Sequence, residues 1–67
     1  MEVDVDKLVE LRINEGLSQR QLAKRAGVNN RSVWKIERGG RVRPETLKKI
    51  ADVFGVKPMD LMKERRS

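Results

Sequence analysis

A chain of 67 residues with neither cysteine nor histidine has few ways to hold itself together. Domains this small bury a smaller share of their surface than larger ones and are marginal, and many add disulfides or a metal. Disulfides are impossible here, and without Cys or His a structural zinc site is excluded as well. The fold must rest on packed apolar side chains, from a sequence that is only 37% hydrophobic. Short helices in close packing meet that demand with the fewest residues. The same absences thin out the function classes. There is no Cys nucleophile and no His general base. The carboxylates are scattered, and no glycine-rich phosphate cradle is present. These features predict a non-enzymatic chain with no cofactor, no metal and no small-molecule ligand. No apolar run approaches the ~20 residues of a membrane span. The acidic start MEVDVDK is unlike a signal peptide. A soluble, cytoplasmic protein is expected.

Glycine and proline divide the chain into short pieces, and the apolar spacing between them is helical. A first helix is predicted from about Asp4 or Asp6 to Glu15, with Val5, Leu8, Leu11 and Arg12 on one side. The second has the clearest start. Ser18 and Gln21 make a capping box, Leu17 and Leu22 stand as a hydrophobic staple, and Gly27 ends it. The third is capped by Asn29, with Val28 and Val33 again at staple spacing, and ends at Gly39. The fourth opens on Pro44, a residue suited to the first helical position. Leu47, Ile50, Ala51 and Phe54 line its inner face. A short fifth helix is predicted at Pro58, including Leu61. Arg65, Arg66 and Ser67 are expected to fray. The predicted fold class is all-α, a compact five-helix domain over residues 1–67.

The net charge of +6 permits nucleic acid, an anionic membrane or an acidic protein as partner. Its distribution is more informative. Residues 1–16 sum to −3, residues 17–43 to +7 and residues 44–67 to +2. In the central segment eight cations face one acid, Glu37. That concentration indicates a binding face. A membrane surface is disfavoured, because the cations do not form one long amphipathic helix.

Residues 18–38 then read as one unit, two short helices joined across Gly27. Val33 and Ile36 must face inward, which leaves Asn30, Arg31, Trp34, Lys35 and Arg38 outward at i, i+3, i+4 spacing. Arg31 can donate two bonds to guanine and Asn30 can pair with adenine. Arg31, in the first turn, is the strongest candidate base reader.

The run Leu17-Ser-Gln-x-x-Leu-Ala-x-x-Ala-Gly-Val28, followed by Val33-x-x-Ile-Glu-x-Gly39, resembles the Xre family, the Cro and phage-repressor type of helix-turn-helix. The resemblance extends from Leu8 to Leu61. It implies a lambda-repressor-like fold and a transcriptional regulator, a repressor, that reads the major groove with the helix at about 29–38. It further implies that Gln19 binds phosphate, that Asn29, Asn30, Arg31, Ser32, Trp34 and Lys35 face DNA, and that Arg38, Arg41 and Arg43 follow the backbone. In the family an arginine at position 12 bridges a glutamate at position 37. The residues argue independently for this structural ion pair, since Arg12 borders an apolar stripe and needs a partner. The implied target is a pseudo-palindromic double-stranded operator, bound by a weak homodimer that assembles on DNA. The implied setting is bacterial or phage-encoded, associated with the nucleoid.

An alternative is a protein-interaction module on the same fold, such as an antitoxin or coactivator. Several residues depart from expectation. Trp34 replaces a small or polar residue, and either presses on a thymine methyl or sugar edge or folds back over the scaffold. Lys57 and Arg43 are poor caps for the helices that follow them. Val9 and Met59 are expected to close the underside of the core. Ile13 and Met62 can do the same or form an exposed apolar patch.

Overall fold

The computed structural model describes residues 2–63. Four α-helices follow one another: α1 (Val5–Asn14), α2 (Gln19–Ala26), α3 (Asn30–Gly39) and α4 (Pro44–Phe54). The segment expected to be a fifth α-helix is instead a single 3-10 turn, Pro58–Leu61. Four residues are too few to close successive i to i−4 hydrogen bonds, so the tighter i to i−3 pattern takes over. The expected fraying of residues 65–67 lies outside the described residues.

The helix starts follow from side-chain chemistry. The Asp4 carboxylate accepts from the Lys7 amide and starts α1. Ser18 Oγ accepts from the Gln21 amide while Gln21 Oε1 accepts from the Ser18 amide, a complete capping box. Asn29 Oδ1 accepts from the Arg31 amide at 2.7 Å. Arg43 provides no side-chain cap, and α4 relies on Pro44, whose fixed φ suits the first helical position. Lys57 is rescued from the other direction, because Asp60 reaches back to accept from the Lys57 amide.

Helix α2 packs on both α3 and α4, α1 lies against α3, and the 3-10 turn closes over α4 and the start of the chain. Leu8, Leu22, Val33, Leu47, Ile50 and Leu61 are fully buried where these elements meet, with Leu17, Ala23, Ala26, Ile36 and Ala51 filling between them. Small Ala23 and Ala26 on α2 allow the close approach of its neighbours. Gly27 takes a left-handed conformation, φ 71°, and so turns the chain directly from α2 into α3.

One core residue lies outside the predicted helices. Val3 is only 3% exposed. Residues 2–4 cross the base of the domain as a short extended strap. The Val3 amide donates to Gly40 O, the Asp4 amide to Leu61 O, and the Lys63 amide donates back to Glu2 O. Two isolated β-bridges, Glu2 with Arg41 and Val3 with Met62, mark the same crossing. Gly40, φ 74°, lies under the strap, where a Cβ would sit 3.2 Å from Val3 O. The strap does the covering that was expected of Met59, which is 79% exposed. Ile13 is 62% exposed, whereas Met62 packs against the core.

Candidate nucleic-acid interface

The outward face of α3 is set by its buried one. Val33 and Ile36 point into the core, so Asn30, Arg31, Trp34, Lys35 and Arg38 emerge on the solvent side. The tight turn at Gly27 brings the start of α2 beside the start of α3. Gln19, Asn29, Asn30, Arg31, Trp34 and Lys35 consequently line one open cleft. A second groove adjoins it across Lys35 and runs between α3, the loop 40–43 and the start of α4. Ser32, Arg41 and Arg43 line this second groove. Nine of the ten candidate residues thus border two adjoining concavities that share Lys35. The tenth, Arg38, lies with its guanidinium 4.7 Å from the centroid of the Trp34 ring.

Trp34 is 46% exposed, so it stands outward and does not fold back into the core. Its ring supplies apolar surface in a cleft whose other walls are polar or cationic. Two residues at the rim had no signal in the helical pattern. Glu2 and Lys63 also line the second groove, carried there by the strap and by the segment after the 3-10 turn. Only the long-range pairing of the two chain ends places them.

Beneath this face is an ionic cluster. Arg12 Nε donates to Glu37 Oε2 at 2.7 Å, and a terminal guanidinium nitrogen donates to Oε1 at 3.1 Å. The other terminal nitrogen donates to Leu17 O at 2.9 Å. Gln19 Nε2 donates to Glu37 Oε1 at 2.9 Å. The side chains of Arg12 and Glu37 are 15% and 6% exposed. The arrangement is a fork-on-fork pair, tying the end of α1 to the last turn of α3. It also orients Gln19, the first residue of α2, at the mouth of the cleft. The α2 N-terminal end carries amides with no helical partner, a setting that favours an anion.

Among the described residues no group of His, Cys, Asp and Glu side chains could hold a metal ion. No helix there is long and apolar enough to cross a membrane.

Residues 8–61 match a family model described as helix-turn-helix. The fold also matches the N-terminal DNA-binding domain of SinR from Bacillus subtilis. The TM-score is 0.81 and the identity 26%, with 94% of each chain covered. A comparison with proteins of curated function returns no match. The match covers most of the chain and runs through the capping, turn and core positions described above: the chain belongs to the helix-turn-helix family, of the Xre, lambda-repressor-like type, and is a non-enzymatic regulator.

Proposed function

We propose that this protein binds double-stranded DNA sequence-specifically and regulates transcription, acting as a repressor, with α3 lying in the major groove. The observation that carries the reading is the cleft between the starts of α2 and α3. It gathers Gln19, Asn29, Asn30, Arg31, Trp34 and Lys35, six side chains with the hydrogen-bonding and apolar groups that base edges and phosphates require. Arg31, in the first turn of α3, reads guanine, and Asn30 reads adenine. Gln19 and the free amides of the α2 N-terminal end hold one phosphate. Ser32, Arg41 and Arg43 in the second groove follow the same strand. The similarity to a domain described as DNA-binding supports this assignment.

Recognition of two half-sites about one helical turn apart by a pair of chains fits the small footprint of one α3 helix. The weak dimer forms on DNA, and the setting is the cytoplasm at the nucleoid. Selection of bound duplexes from a random library tests the sequence-specific binding and the paired half-sites. An inverted repeat is expected, with affinity that falls steeply with salt. Arg31→Ala should cost ~1–3 kcal/mol and relax specificity at one base position. Absence of enrichment, or an affinity indifferent to salt, would instead favour a protein-interaction module, the reading to which the exposed Trp34 ring lends support.

A further inference from the structure

Trp34 is the sole tryptophan of the chain and stands outward on α3. One helical turn further on, Arg38 lies over its ring at 4.7 Å, well inside the ~6 Å reach of a cation–π contact. Among the described residues no carboxylate pairs with Arg38. Its neighbour Glu37 is taken up by Arg12 and Gln19. The ring is therefore what orders this side chain. No acceptor among the described residues takes up its N–H donors, so the ring contact holds the group without occupying its hydrogen-bonding capacity. Arg38 also sits in the last turn of α3, away from the first-turn residues that reach deepest into a groove. A cation at that end is placed to suit a phosphate better than a base edge.

We propose that Trp34 is a positioning residue for DNA binding: its indole preorders the Arg38 guanidinium for a backbone phosphodiester, and the two side chains act as one unit. This rests on the DNA-binding reading above. The rival view is that the arginine merely covers an exposed ring. In that case the pair would affect solubility or melting but would not couple in DNA affinity.

The test is a double-mutant cycle, read by fluorescence anisotropy of a labelled mixed-sequence duplex about three helical turns long. Trp34→Leu keeps apolar bulk and removes the π face, while Arg38→Gln removes the cation. Trp34→Leu should weaken binding about two- to fivefold, the range of an exposed cation–π contact, and Arg38→Gln, which also removes the phosphate contact, by at least as much. The double variant should be weakened by clearly less than the product of the two single losses, since Trp34 also lines the cleft in its own right. Trp34→Phe should retain most of the affinity, and Arg38→Gln should lower the salt slope by about one. Losses that multiply in the double variant, or a Trp34→Leu protein that binds like wild type, would overturn the proposal while leaving DNA binding intact. A wild-type protein that binds no duplex would overturn the DNA reading, and this proposal with it. Both side chains are exposed, so the variants should fold. In the free protein the tryptophan emission should change on Arg38→Gln, and an unchanged spectrum would exclude the stack.

Discussion

Removing the Glu37 side chain tests the ionic cluster that ties α1, α2 and α3 together. In Glu37→Ala the Arg12 guanidinium, only 15% exposed, loses two of its three hydrogen bonds and keeps the one to Leu17 O. Gln19 loses its partner as well. Breaking a buried ion pair from one side costs ~3–5 kcal/mol. The surviving bond and the residual exposure of Arg12 place this case near the lower end, at about 3 kcal/mol. A chain of this length has a total stability of roughly 3–10 kcal/mol. One kcal/mol moves the melting temperature of so small a domain by about 4–8 °C, so the expected drop is roughly 12–24 °C. Thermal unfolding followed by far-UV circular dichroism measures it directly.

The cluster makes two further demands on the same assay. Glu37→Gln keeps an acceptor for Arg12 and should lose less. Replacing both Arg12 and Glu37 by Met removes both charges together, and should cost less than the two single replacements added, since neither ion is then stranded. A Glu37→Ala midpoint within about 2 °C of wild type would correspond to less than ~0.5 kcal/mol and would show that the Arg12–Glu37 pair does not stabilise the fold. Strict additivity in the Arg12 and Glu37 cycle would refute the coupling even if each single variant is destabilised.

Other parts of the fold give independent tests. Gly40→Ala forces an alanine to φ 74° and sets its Cβ 3.2 Å from Val3 O, whereas Gly27→Ala meets the same backbone strain, φ 71°, in open space. Both should destabilise by ~1–2 kcal/mol from the left-handed backbone. Gly40→Ala alone should speed amide exchange at Val3 and Asp4, and equal exchange in the two variants would mean that the strap is not seated on Gly40. Glu2 is an acid at the rim of a groove that also contains Lys35, Arg41, Arg43 and Lys63. Glu2→Gln should tighten duplex binding by roughly two- to threefold at low salt and lose that advantage at high salt, and weaker binding would show that Glu2 helps and does not oppose.

Helix positions were readable because their signals are local. Ser18 with Gln21, Asn29, Pro44 and the glycines each act on amides or dihedral angles within a few residues. The starts of α2, α3 and α4 therefore fall where these residues stand. The outward face of α3 was equally legible, since burying Val33 and Ile36 fixes the rest by helical geometry. Met59 shows where such reasoning runs out. Its apolarity suggested a core role, yet the space under the domain is filled by Val3, which arrives from the opposite end of the chain. A Val-Asp-Val-Asp alternation is the one hint of an extended segment in this sequence, and four residues are too few to separate it from the first turn of α1.

The missing Cys and His determined that this chain is held by packed apolar side chains, their spacing placed those side chains on helices, and local capping determined where the helices begin. The charge distribution and helical spacing also marked which side chains share the outward face. Tertiary packing is what brings Gln19 to Glu37, and Glu2 and Lys63 to the second groove. The physical reason is one of range. Capping and periodicity act over three or four residues. The closure of the base joins residues 2–4 to 40–41 and 61–63, and depends on how four helices pack.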